Sequence, residues 1–150
     1  MKRQRYQQLI DWKNSKNRKP LILQGARQVG KTFLVNQFGK NEYKHFINLN
    51  FEQNSGLKSL LDKDLNPKII IQNISLLIGK KIESTDTLLF FDEIQVAPQA
   101  LTSLKYFQEQ APEFHIIAAG SLLGVSVGKT TSFPVGKVNF LNLNPMTFSE

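Results

Sequence analysis

Five short, nearly uninterrupted apolar runs recur along the chain, and between them apolar residues return every three or four positions. The runs are LIL (21–23), HFINLNF (45–51), TLLFF (87–91), FHIIAA (114–119) and VNFLNL (138–143). They are too continuous for strands with one wet face, and so predict strands buried on both faces. The periodic stretches predict helices near 31–38, 57–63, 67–78 and 98–110. Asn66-Pro67 and Ala97-Pro98 supply cap and first-turn pairs for two of these helices, and Gly39 and Gly79 stand where helices are expected to stop. Strands alternating with helices specify an α/β fold whose parallel sheet is covered on both faces. No internal repeat or low-complexity linker interrupts the pattern.

Composition narrows the picture. A chain of 150 residues, 41% hydrophobic, can form one core and hide roughly 70% of its unfolded surface. It has no cysteine, which excludes disulfides, thiolate metal sites and a cysteine nucleophile. No signal peptide is visible and no apolar run approaches the ~18 residues of a membrane span. The expectation is a cytoplasmic protein with no membrane partner. The formal charge of +7 is localised: residues 1–19 hold seven Lys or Arg against Asp11 alone, leaving 12 basic and 11 acidic residues beyond them. That segment reads as a basic amphipathic helix packing Tyr6, Leu9 and Ile10 inward, with Trp12 beside that face; a nucleic-acid patch is the alternative. The organisation expected is a basic helix over 1–19 followed by a core over 20–150.

Candidate chemistry starts at GARQVGKT (25–32), which follows the first strand and opens the first core helix. It meets the phosphate-loop pattern at Gly25, Gly30, Lys31 and Thr32. Glycines let the backbone aim successive N–H groups at phosphate oxygens, and the helix N-terminus adds the positive end of its dipole. The nucleotide-binding stretch is thus Gly25, Ala26, Arg27, Gln28, Val29, Gly30, Lys31, Thr32 and Phe33. Lys31 would bridge the β- and γ-phosphates, and the Thr32 hydroxyl would ligate Mg²⁺. Arg27 and Gln28 are expected to point outward. A second Gly-Lys-Thr lies in GVSVGKT (124–130), but it encloses three residues between its glycines where the first encloses four. It also lacks the preceding strand and following helix, so Lys129 reads as part of a loop with no phosphate role.

The complementary half of the site is LLFFDEIQ, in which Asp92 emerges at the carboxyl end of a buried strand, where open parallel sheets bind ligands. Asp92 would hold Mg²⁺ beside Thr32, and Glu93 would orient and polarise an attacking water. Ser121, after FHIIAAG, could contact the γ-phosphate or that water; capping a turn is the equal alternative. Gln95 could bond near Glu93, although a surface amide is the preferred reading. His45 and His115 have no companion at metal-ligand spacing and read as packing or edge residues, as Met146 does.

The segments RKPLILQGARQVGKT, LLFFDEIQ, AAGS and FPVGKVNFLNLNPMTFSE together resemble the N-terminal ATPase domain of a bacterial and archaeal family of predicted AAA-type ATPases. The resemblance implies a P-loop NTPase three-layer sandwich with a five-stranded parallel sheet of order 5-1-4-3-2. It places Walker A at Gly25 to Thr32, Walker B at Asp92 and Glu93, and a sensor near Ser121. It further implies ATP and Mg²⁺ as ligands and downstream segments of winged-helix and nuclease-like type. Family members tend to carry arginine where this chain has Lys137, and lysine supplies a charge there without the planar fork that an arginine finger uses. Thr147 and Glu150 form the start of a capping box with no helix after it, which points to an N-terminal piece of a longer protein, only weakly active alone. The function expected is Mg²⁺-dependent ATP hydrolysis driving a conformational change downstream. A slow nucleotide-gated signalling switch, a kinase and a nucleic-acid-binding module are the alternatives, with DNA contacted downstream or by the basic segment. A homo-oligomer is compatible with the resemblance.

Overall fold

The computed structural model describes residues 2–25, 30–120 and 136–142. Ala26, Arg27, Gln28, Val29, Ser121, Lys129, Met146, Thr147 and Glu150 lie outside the described residues. The elements, in chain order, are α1 (Lys2–Lys13), β1 (Leu21–Gln24), α2 (Lys31–Glu42), β2 (His45–Asn50), α3 (Ser55–Lys63), α4 (Pro67–Ile78), β3 (Thr87–Asp92), a 3₁₀ turn (Ile94–Val96), α5 (Pro98–Gln110), β4 (His115–Ala119) and β5 (Asn139–Asn142). All four strand pairings are parallel, in the order β2-β3-β4-β1-β5. Read from the other edge this is 5-1-4-3-2, the order the resemblance implies.

Two apolar layers sandwich the sheet because successive strand residues point to opposite faces. Leu88 and Phe90 of β3 join Leu9 and Trp12 of α1 and Leu34, Val35 and Phe38 of α2 on one side. Leu89 and Phe91 join residues of α3, α4 and α5 on the other. All six residues of β3 are buried, which is why its sequence reads as continuous apolar residues. Burying Phe90 and Phe91 stabilises the fold by roughly 3 kcal/mol each. The edge strands behave differently: His45, Asn48 and Phe140 are exposed, so β2 and β5 are not buried on both faces as the runs suggested.

Helix ends follow local chemistry, with one exception. Asn66 caps α4 by accepting from the Lys68 amide, Pro67 opens that helix, and Gly79 closes it in the left-handed region at φ 70°. Pro98 likewise opens α5 after Ala97, which contributes no side-chain cap. Gly39 does not stop α2, which continues to Glu42. A Cβ at Gly39 would lie 2.2 Å from the Phe46 ring, so the glycine serves the close approach of β2 to α2. Helix α1 docks on α2, where the Tyr6 hydroxyl donates to Glu42 Oε2 at 2.7 Å and Lys13 Nζ to the Glu42 carbonyl at 2.6 Å.

Candidate nucleotide site

Parallel strands point their carboxyl ends one way, so β1, β3 and β4 deliver their following residues to one edge of the sheet. After β1, Gly30 adopts φ 78°, a conformation that strains any residue with a Cβ, and turns the chain into α2. Lys31 and Thr32 are therefore the first two residues of that helix, at its positive end. Lys31 is only 7% exposed, and its Nζ donates to the carbonyls of Gly25 at 2.8 Å and Gly120 at 3.2 Å. The Thr32 hydroxyl donates to Asp92 Oδ2 at 3.0 Å, joining the start of α2 to the end of β3. Phe33 is exposed.

Asp92 is the last residue of β3, not the first beyond it, and is 5% exposed. Its Oδ1 accepts from the Glu93 amide at 2.9 Å. Burial pushes its carboxyl above the ordinary value and neighbouring Glu93 adds to that, opposed by the Thr32 and amide hydrogen bonds and by Lys31. An ionised carboxylate in this position gains from a cation. The donor set fits Mg²⁺: a carboxylate and a hydroxyl are hard oxygens, already 3.0 Å apart. Among the described residues no cluster of three or more His, Asp or Glu could hold a metal by itself, so a cation here would need further oxygens from its ligand and from water.

Glu93 turns away from the strand in the left-handed region at φ 54° and ψ 43°, followed by the 3₁₀ turn. For a residue with a side chain that conformation costs roughly 1–2 kcal/mol. Its Oε1 accepts from Gln95 Nε2 at 2.9 Å. Gln95 is thus not the surface amide expected: its Oε1 is buried without a partner and faces Gly120, at the end of β4.

Beside Thr32 and Asp92 opens a cavity of about 430 Å³, walled also by Asn48, Asn50, Gln53 and Asn54. Asn50 pairs in register with Asp92, and its Oδ1 holds the amides of Glu52 and Gln53 at 2.9 and 3.0 Å. Sequence reasoning missed Asn48 and Asn50; the available signal was two polar residues interrupting the carboxyl end of an apolar run. A larger groove of about 600 Å³ lies along α4 and Phe114 and shares no residue with this site.

Other candidates fall elsewhere. Lys137, just before β5, pairs with Glu109 at the end of α5 with 3.5 Å between Nζ and Oε2. That is the edge of the sheet opposite Lys31 and Asp92. His115 opens β4 on the same far edge, and Tyr43 Oη lies 2.6 Å from its Nδ1. His45 opens β2 and is exposed. No helix among the described residues is long and apolar enough to cross a membrane.

A family model described as AAA domain matches residues 17–150. No curated protein matches the sequence. Among solved structures, a Walker-type ATPase of Pyrococcus abyssi superposes with a TM-score of 0.62 at 15% identity, covering 99% of this chain and 55% of its own. The ORC1 protein of Aeropyrum pernix, solved in complex with DNA, also gives a TM-score of 0.62, at 12% identity over 97% of this chain and 44% of its own. At these identities the likeness is one of fold, and this chain spans about half the length of each.

Proposed function

Because the chain belongs to the AAA domain family, matched over residues 17–150, we propose that it binds ATP with Mg²⁺ at the carboxyl ends of its strands and hydrolyses it. The observation that carries this reading is the 3.0 Å hydrogen bond between Thr32 and Asp92. It unites the end of the phosphate-loop sequence with the acidic strand end, 60 residues apart in the chain.

In this reading the backbone around Gly30 and the N-terminus of α2 cradle the phosphates. Lys31 exchanges its carbonyl partners for β- and γ-phosphate oxygens. Thr32 and Asp92 would hold Mg²⁺, which would supply positive charge against that developing on the phosphates. Glu93 accepts a proton from the attacking water and orients it, and Ser121, following β4, contacts the γ-phosphate or that water. The free energy of hydrolysis would drive a conformational change in segments beyond those described. The test is phosphate release by the gene's complete product. Wild type should turn over in Mg²⁺, and Glu93→Gln should lose roughly 10²-fold or more in kcat with ATP affinity kept. A Glu93→Gln protein as fast as wild type would remove Glu93 from the mechanism.

DNA is a second reading, suggested by the Aeropyrum pernix structure solved with DNA and by the basic residues 1–19. The contacts of that segment favour a structural role instead. Lys13 bonds the Glu42 carbonyl, Arg18 the carbonyls of Lys13 and Pro112, and Lys19 that of Gly136.

A further inference from the structure

Gln95 sits where a surface residue would not be held so closely. The 3₁₀ turn that carries it is pinned by fully buried Ile94 and closed by the Val96 amide donating to the Glu93 carbonyl at 3.3 Å and the Ala97 amide to that of Ile94 at 3.0 Å. Its Nε2 donates to Glu93 Oε1 at 2.9 Å, which fixes the amide orientation, since the reverse would set two acceptors against each other. Its Oε1 consequently faces Gly120, and there it is buried with no partner. A Cβ at residue 120 would stand 2.2 Å from that oxygen and 3.3 Å from the Gln95 backbone nitrogen. Gly120 is not among the described residues of positive φ, so this glycine is required by space and not by conformation. The Gly120 carbonyl, in turn, accepts from Lys31 at 3.2 Å. Glu93, Gln95, Gly120 and Lys31 therefore form one chain of contacts at the carboxyl ends of β3 and β4.

A buried carbonyl oxygen that has given up water and found no donor is unfavourable, and it accepts readily from any donor that enters. We propose that Gln95 positions the hydrolytic water: its Nε2 holds the Glu93 carboxylate in place, and its Oε1 accepts one of the water's two protons in a hydrogen bond. The inference rests on the reading of Glu93 given above. With Glu93 accepting the other proton, the water's two O–H bonds are both directed and a lone pair is left for the γ-phosphorus. As the water oxygen bonds to that phosphorus, the bridging P–O bond breaks and its electron pair leaves with ADP. One water proton passes to Glu93, and the other stays on the product phosphate, still bonded to Gln95 Oε1. Neither contact touches the nucleotide, so the effect belongs to the chemical step and not to binding.

The test uses Gln95→Met, which keeps length but removes donor and acceptor, in the gene's complete product. ATP affinity and KM should stay within about 2-fold while kcat falls roughly 10- to 100-fold, the range for a lost orienting contact. Gly120→Ala, which drives Oε1 off its position, should reproduce the loss. Glu93→Gln combined with Gln95→Met should be no slower than Glu93→Gln alone, because Gln95 acts on the same water. If Gln95→Met does not fold, Gln95→Glu keeps an acceptor but loses the donor and repels Glu93, and it should be slowed likewise. A wild-type kcat in Gln95→Met or Gln95→Glu, or losses that multiply in the double variant, overturns the role of Gln95 and leaves that of Glu93 standing. A wild-type protein that fails to hydrolyse ATP overturns both.

Discussion

Asp92 holds a carboxylate that is almost fully buried, raised above its ordinary pKa by that burial, and bonded to the Thr32 hydroxyl and the Glu93 amide. In the proposed site its charge is compensated by Mg²⁺. Asp92→Asn keeps an acceptor and the shape but removes the charge. It should weaken Mg²⁺-ATP binding about tenfold or more, since a charge-assisted contact contributes roughly 1.5–3 kcal/mol. ATP without metal should bind the variant as it binds wild type, and titrations with Mg²⁺ and with EDTA compare the two; equal losses in both would argue against a metal-ligand role. That Lys31, Thr32, Asp92 and Glu93 would come together at one end of the sheet was legible in the sequence because their placement is set by local geometry: two glycines before a helix, and an acidic pair at the end of a buried strand. Gln95 was not, since its burial comes from Gly120, 25 residues away, and a glutamine two positions past a strand carries no mark of that contact.

At the scale of elements, α2 shows a local rule overridden from outside. Glycine inside a helix costs about 1 kcal/mol relative to alanine, and on that ground Gly39 reads as a helix end. The helix runs on to Glu42 because the Phe46 ring of β2 fills the space a side chain would take. Gly39→Ala should thus lower stability by roughly 1–3 kcal/mol despite the better helix propensity, as overpacking does. Urea denaturation measures it, and a more stable variant would mean that β2 yields freely. The helices α4 and α5 were legible to their bounds because Asn66-Pro67, Gly79 and Pro98 act within a turn of their own positions. The exposure of His45 and Asn48 was not legible from their apolar run, because it follows from what the sheet leaves uncovered at its edge.

Across the whole molecule, the two apolar layers follow from strand alternation and were legible as a doubly covered sheet, whereas the strand order came from resemblance, since no local pattern encodes which strands are neighbours. The layer containing α1 ends in a titratable cluster. Trp12 and Tyr43 meet the His115 ring edge-on, with centroids 5.9 and 5.3 Å away. Burial first, then the charges of Arg18 and Lys13, against a smaller opposing pull from Asp86, hold His115 down at about 4. Unfolded histidine titrates near 6.5, so between these values the unfolded chain binds a proton the native one refuses. Stability should fall as pH drops from 6.5 to about 4, by at most about 3 kcal/mol from this residue. His115→Gln, which cannot charge, should flatten that part of the stability profile in denaturant melts; an unchanged slope would place the acid sensitivity elsewhere.

The central claim, that Lys31, Thr32 and Asp92 form the nucleotide site while the second Gly-Lys-Thr does not, is tested most directly by calorimetric titration of Mg²⁺-ATP into wild type, Lys31→Ala and Lys129→Ala. The account predicts heat of binding for wild type and Lys129→Ala with equal affinity, and none for Lys31→Ala, which loses the side-chain cation aimed at the β- and γ-phosphates. Unimpaired binding by Lys31→Ala, or an equal loss in Lys129→Ala, would contradict it.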